Sequence, residues 1–374
     1  MIKTTVFFGA GAEVCFGISG GKNFAYNVLG LSADVMNEVI RDFYTNKLLK
    51  EKSNWYPNYH EKKWDKEKLL EAAIRKRLLA EPKSYDNVKD FTKHIEEMKE
   101  ELSGNEKKAE EIIEKYTSYM GLLDERFHTL IEPKTLGPQK FWSVIACYTR
   151  AYLSIVTEIL LDKEKETISK EQYMDILNDP IQTIKSLRKA IRTRDCYTIK
   201  NYYSILKKYS NTKIVTTNYT PCCEILSNIT DIAYVHGKLS LFESPFEWRV
   251  YDAESTFPTD KLLFPYLFIQ SGIKPIVEEI QLREYAKMLD FLCNSERTII
   301  VGYRINVDDN HLNGILRKMI IDEKEIVYLD YDNDGTKKVL SRLHLSESES
   351  KGFICLPINK NNALEMFEKE LSKG

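Results

Sequence analysis

No run of eighteen or more apolar residues occurs in the chain, so nothing in it has the length of a membrane-spanning helix. No C-x-x-C pair occurs either. The seven cysteines, Cys15, Cys147, Cys196, Cys222, Cys223, Cys293 and Cys355, are odd in number and scattered. That pattern argues for a reducing compartment, hence a cytoplasmic location, and against a structural zinc site. The neighbours Cys222 and Cys223 are poorly placed to share one tetrahedral metal and read as packed thiols. No G-x-x-x-x-G-K-[ST] is present, so the chain brings no P-loop ATPase of its own. Charge of neither sign dominates: 54 Lys and Arg against 56 Asp and Glu leave a net −2, which excludes a generally basic nucleic-acid binder. Internal repeats and low-complexity tracts are missing. The opening MIKTTVFFG has no cleavage-type tail and reads as a strand rather than a signal peptide.

What is present begins with that strand. Five residues of strand character run into Gly9-Ala10-Gly11-Ala12-Glu13, and Gly17-Ile18-Ser19-Gly20-Gly21 follows. A helix-like pattern (Asn23, Phe24, Tyr26, Asn27, Val28) comes next. This is the strand, Gly loop and helix order of nucleotide-binding α/β folds, in which glycines let backbone N–H groups approach a phosphate. Gly-rich turns also join strands to helices with nothing bound, so the loop alone leaves both readings open.

Beyond it, Ser32 is a candidate N-cap for a helix carrying Val35, Met36, Val39, Ile40 and Phe43 on one face. Residues 50–62 have turn character. From about 64 to 130 charged residues at helical spacing predict a helical subdomain, punctuated by Pro82 and Ser103-Gly104. FWSVIACYTRAYLSIVTEILL (141–161) predicts a long core or interface helix. A further helical stretch precedes Tyr202. Strand patterns then return at 213–218, 232–237, 297–303, 325–330 and 352–358, with helices predicted at 220–228, 276–292 and 308–320 and at the end of the chain. The passage 238–275 reads as loop-rich. Strands alternating with helices predict an α/β fold with a mostly parallel, Rossmann-like sheet. The length, 374 residues, suits two units: an α/β domain of 1–30 plus 210–374, interrupted by an all-helical insertion, 31–209.

Four short motifs fall at predicted strand ends: GAGA at 9–12, TTNY at 216–219, VHG at 235–237 and VGY at 301–303. In an open parallel sheet that edge is where ligands bind. Together and in this order they resemble the Sir2 family, whose core is a Rossmann-like NAD-binding domain. G-A-G-A-E-V-C-F-G-I-S-G-G-K is similar to that family's Gly-Ala-Gly…Gly-Ile-Pro-Asp-Phe-Arg loop, T-T-N-Y-T to its Thr-Gln-Asn-x-Asp, and His236-Gly237 to its catalytic His-Gly. The zinc module that follows the His-Gly strand in protein deacylases is absent, since 238–296 holds only Cys293. Gly20, Lys22 and Thr220 replace the loop Asp and Arg and the Asp of the Asn motif. The resemblance is therefore to the divergent, NAD-hydrolysing branch found in bacterial antiphage defence. It covers about 1–30 and 210–358 and leaves the helical half unaccounted for.

The resemblance implies an NAD glycohydrolase that yields nicotinamide and ADP-ribose as an abortive-infection effector. Asn218 and His236 would be catalytic. NAD would be met by Gly9, Ala10, Gly11, Ala12, Gly17 and Ile18, by Thr217, and by Gly302 and Tyr303. Asp330 ends a strand where such folds often hold an adenosine ribose. No metal is expected, because cationic nicotinamide is already a good leaving group. Each assignment has a plainer counterpart: Asn218 as cap of a helix starting near Pro221, His236 as a structural histidine, the glycines as backbone shape alone. Asp308, Asp309 and His311 read as capping and dipole compensation at a helix start. An unregulated NADase would kill its host, so a homo-oligomer and a separate sensor or activator subunit are implied, a HerA-type ATPase or a nucleotide-sensing protein. A non-catalytic sensor of NAD or ADP-ribose is the alternative; a deacylase or ADP-ribosyltransferase is disfavoured by the missing zinc module.

Overall fold

A computed structural model describes residues 2–18, 24, 35–40, 42–44, 70, 73–74, 77, 88–116, 138–161, 168–244, 249–255, 257–259, 261, 263–268, 279–306 and 309–374. The predicted helix over 23–28 apart from Phe24, the cap at Ser32, the turn at 50–62 and Asp308 lie outside the described residues.

Six strands form one all-parallel sheet: β1 (Ile2–Phe8), β2 (Lys213–Thr216), β3 (Ile232–Tyr234), β7 (Ser295–Val301), β8 (Glu325–Asp330) and β9 (Phe353–Pro357). Their order is β3-β2-β1-β7-β8-β9. Counted within this sheet alone, that is the doubly wound 3-2-1-4-5-6 arrangement, with its switch point between β1 and β7. The strands are apolar on both faces because both are covered. Period-two alternation divides them: Val6, Phe8, Ile214, Ile299, Val301, Val327 and Leu329 face one core, while Phe7, Val215, Ile300, Ile326 and Tyr328 face the other.

Charged, amphipathic helices α1 (Val88–Leu102) and α2 (Glu106–Tyr116) join across a turn at Ser103-Gly104 and bury Met98, Leu102 and Ala109 in a small core with Ala73 and Ile74. Helix α3 (Pro138–Leu160) is buried at every position from Thr149 to Ile159. Its apolar surface there is consumed within the chain, against α5 and a second sheet. Next come α4 (Lys170–Asn178), α5 (Pro180–Thr193), α6 (Asp195–Thr198) and α7 (Tyr202–Leu206). Ser169 and Gln172 form a capping box at α4, and Asp179 accepts from the Gln182 N–H with Pro180 at the first position of α5. Ile184, Leu187 and Ile191 of α5, with Tyr203 of α7, enter the same core as Val6 and Phe8, so these helices form one packed layer with that face of the sheet. The opposite face is covered by α9 (Glu279–Asn294), α10 (Asn310–Ile321) and α11 (Gly335–Arg342). Helix α8 (Cys222–Ser227) follows β2, and α12 (Ala363–Leu371) closes the chain on the first face through Phe367 and Leu371.

Two features differ from expectation. The described residues of 238–275 are more strand than loop: β4 (Gly237–Ser244), β5 (Arg249–Asp252) and β6 (Phe264–Leu267) pair antiparallel in a second sheet, order β5-β4-β6. Aromatic residues read as loop content are its core, among them Phe242, Tyr251, Phe264 and Tyr266. Helix α11 was also unforeseen, its short turn being masked by the polar run around it.

Candidate active site at the strand ends

The Gly loop is folded onto the end of β7. Two 3-10 turns, Ala10–Ala12 and Val14–Phe16, follow β1. The Gly9 N–H donates to the Val301 carbonyl (2.9 Å) and the Gly11 N–H to the Gly302 carbonyl (2.9 Å). Ala12 and Glu13 donate back to Gly9 and Ala10. Gly302 has φ +67°, and a Cβ there would lie 2.3 Å from the Ala12 nitrogen; one on Gly9 would lie 2.5 Å from the Cα of Tyr303. These glycines therefore let two strand ends touch at the switch point, and four loop N–H groups are spent on the loop's own structure. The free N–H groups expected at the start of the helix after the loop lie outside the described residues. Ala10 and Gly11 are exposed, as are Val14, Cys15 and Gly17; Gly17 ends the second turn in the left-handed region, and Ile18 is buried.

Asn218 follows β2 and is buried. Its Nδ2 donates to the Gly9 carbonyl (3.1 Å) and to the Tyr203 hydroxyl (3.1 Å). The Tyr203 hydroxyl in turn donates to Glu13 Oε1 (2.8 Å), which also accepts from the Thr220 hydroxyl (2.7 Å). Capping of α8 falls elsewhere: Pro221 is its cap residue, and the Thr220 hydroxyl accepts from the Cys222 N–H at 3.3 Å. Glu13 is 2% exposed. Burial pushes its carboxyl up to about 7, against hydrogen bonds from Thr220, Tyr203 and Asn218 that favour the charged form. Thr217, one residue before Asn218, donates its N–H to the Phe8 carbonyl (3.0 Å) and so extends the β1–β2 ladder.

His236 follows β3, the strand next to β2, with Thr216 paired to Tyr234. Gly237 has φ +88°, and a Cβ there would lie 2.4 Å from the Tyr266 carbonyl oxygen. Only glycine lets the chain turn here from the first sheet into β4, and the turn leaves His236 at the strand end. His236 Nε2 lies 3.4 Å from Asp309 Oδ1; the residues are 6% and 7% exposed. Asp309 precedes α10 but makes no side-chain cap bond, so its carboxylate is turned to His236 instead. His311 brings its ring 6.0 Å from that of His236 and 5.5 Å from that of Tyr285. Tyr303 packs its ring on Phe7 and donates its hydroxyl to Asn313 (3.1 Å); burial, then the Asp309 charge, push its phenol up.

Asp330 stands apart, at the end of β8 beyond β7. Its Oδ2 accepts from the Gly335 N–H (2.8 Å) at the start of α11, a structural task the sequence did not suggest. Burial and then the Asp330 charge push the nearby Cys355 thiol up to about 11.

Sequence reasoning missed Glu13 and Tyr203. Glu13 carried a signal, a carboxylate inside a loop of small residues; Tyr203 carried none, since the pair is joined only by the fold. A separate cavity of about 370 Å³, lined by Phe43, Tyr44, Asp179, Lys185, Phe257 and others, shares no lining residue with the strand ends. Burial and converging polar groups mark the strand ends as the better candidate for chemistry. A scan against models of known families and a search of curated proteins both find no match to this chain.

Proposed function

We propose that the chain is a Sir2-like NAD glycohydrolase, cleaving NAD to nicotinamide and ADP-ribose, and that it serves as an abortive-infection effector in bacterial antiphage defence. The observation that carries the reading is the placement of Asn218. Its amide protons are held by the Gly9 carbonyl and the Tyr203 hydroxyl, while the cap of α8 is left to other residues. An amide fixed at that edge is what positioning a ribose and an attacking water requires.

In this reading NAD lies across the carboxyl ends of β1, β2, β3 and β7, meeting the Gly loop at Ala10 and Gly11. The bond from ribose C1′ to the nicotinamide nitrogen breaks, and its electron pair neutralises the pyridinium. The oxocarbenium-like carbon is captured by water, oriented through Asn218 Oδ1. His236 takes the proton from that water or from a ribose hydroxyl. The Asp309 carboxylate favours the imidazolium that results. Regulation belongs to a homo-oligomer or a partner subunit. The test is incubation of the purified protein with NAD and chromatography for nicotinamide and ADP-ribose. Release of both supports the reading, and intact NAD in the presence of the native partners overturns it.

A further inference from the structure

We propose that His236, Asp309 and His311 form a binding site for a divalent first-row transition-metal cation of the zinc class, and that the bound cation takes Nε2 of His236 out of proton transfer. The first half stands on geometry. One ligand atom from each of the three residues lies within 4.8 Å of the others. The 3.4 Å between His236 Nε2 and Asp309 Oδ1 is long for a charge-assisted hydrogen bond. It is, however, the edge of a tetrahedron whose ligands stand ~2.0–2.1 Å from a common ion, about 3.4 Å. A ring nitrogen of His311 lies within the same 4.8 Å, and a change of side-chain rotamer would bring it closer.

The site is buried: His236 is 6% and Asp309 7% exposed. Two imidazoles and one carboxylate select zinc, cobalt or their neighbours over magnesium and calcium, which prefer all-oxygen sites. Three protein ligands leave a fourth position open. Local sequence supports the arrangement: Asp309 and His311 sit two apart at the start of α10, and the Gly237 turn delivers His236 to them. The second half rests on the NADase reading. A cation on Nε2 and a proton on Nε2 exclude each other, so metal would hold the enzyme off.

The experiment uses the full chain, stripped with a chelator and titrated with Co²⁺ and Zn²⁺, with Mg²⁺ and Ca²⁺ as controls. The expected result is one Co²⁺ per chain, tetrahedral visible absorption without a thiolate charge-transfer band, a raised Tm, and displacement by Zn²⁺. His311→Gln and Asp309→Asn should each weaken Co²⁺ binding by ~100-fold or more, while melting cooperatively without metal. No saturable Co²⁺ binding, or binding untouched by both substitutions, overturns the site. In the activity arm, Zn²⁺ should inhibit nicotinamide release by the parent with the same midpoint as binding, and chelator should restore it. Full turnover with the site loaded overturns the competition. A protein that binds Co²⁺ as described and never releases nicotinamide keeps the site and loses the NADase reading, so the two failures are distinct.

Discussion

Glu13 holds its proton to about pH 7 because its carboxyl is sealed inside the protein, and this has a thermodynamic consequence. The folded value lies above the ordinary 4.5. Between the two the folded state binds more protons than the unfolded one, so stability falls as pH rises. The contribution is fully present below about 4.5 and lost as pH rises through about 7. Its size is on the order of 3 kcal/mol. Glu13→Gln removes the slope. In denaturant titrations from pH 5 to 8 the variant should gain on the parent as pH rises to 7 and hold its advantage beyond. Parallel pH profiles would refute the assignment. Tyr203→Phe tests the other end of the chain of hydrogen bonds. It removes the hydroxyl between Asn218 and Glu13 and should cost about 1–3 kcal/mol. If Asn218 positions the substrate, it should also lower kcat more than it raises KM. This network was only half legible in the sequence: Asn218 stood in a recognisable strand-end motif, whereas Tyr203 is fixed by the packing of its ring against Phe8 and Phe16.

Among the elements, the parallel strands were the most legible, because burial on both faces makes each a short continuous apolar run. The predicted strand over 325–330 coincides with β8, and α9, α10 and α12 fall close to their amphipathic patterns. The second sheet was not legible, because its strands are short, lie in a passage rich in Phe, Tyr and Pro, and follow one another without a clear period. Helix α3 was legible as a core or interface helix, and from Thr149 to Ile159 it is core. Two substitutions test how elements are joined. Arg297 on β7 pairs with the Glu370 carboxylate of α12 and donates to the Glu370 carbonyl (2.6 Å), both side chains being nearly buried. Burial acts to raise the Glu370 carboxyl, but hydrogen bonds from Lys373 and Arg297 outweigh it and hold it below the usual range. Arg297→Ala should cost about 1–3 kcal/mol, because Lys373 still pairs with Glu370, while Arg297→Met with Glu370→Leu should come near the parent. Thermal melts of the three proteins decide it. Gly302→Ala places a Cβ in the left-handed region and against the Ala12 backbone, and should lower stability by about 1–3 kcal/mol while displacing the Gly loop. An alanine variant of parental Tm would mean the two strand ends are not packed as described.

For the molecule as a whole, the sheet order puts the Gly loop, Asn218 and His236 at one edge, with Asp330 two strands beyond β1 and tied to α11. The sequence listed these positions but not their distances in the sheet, which depend on a strand order that no local pattern encodes. The central claim is that this edge cleaves NAD through Asn218 and His236. Its most direct measurement is nicotinamide release from NAD by the parent, Asn218→Ala and His236→Ala, with Tm read on the same samples. Each substitution should cost roughly 10²–10⁴-fold in turnover. The double variant should fall well short of the product of the two losses. His236→Ala should stay folded, and Asn218→Ala should lose about 1–3 kcal/mol with its hydrogen bonds. A folded, correctly assembled His236→Ala protein that cleaves NAD as fast as the parent would contradict the account.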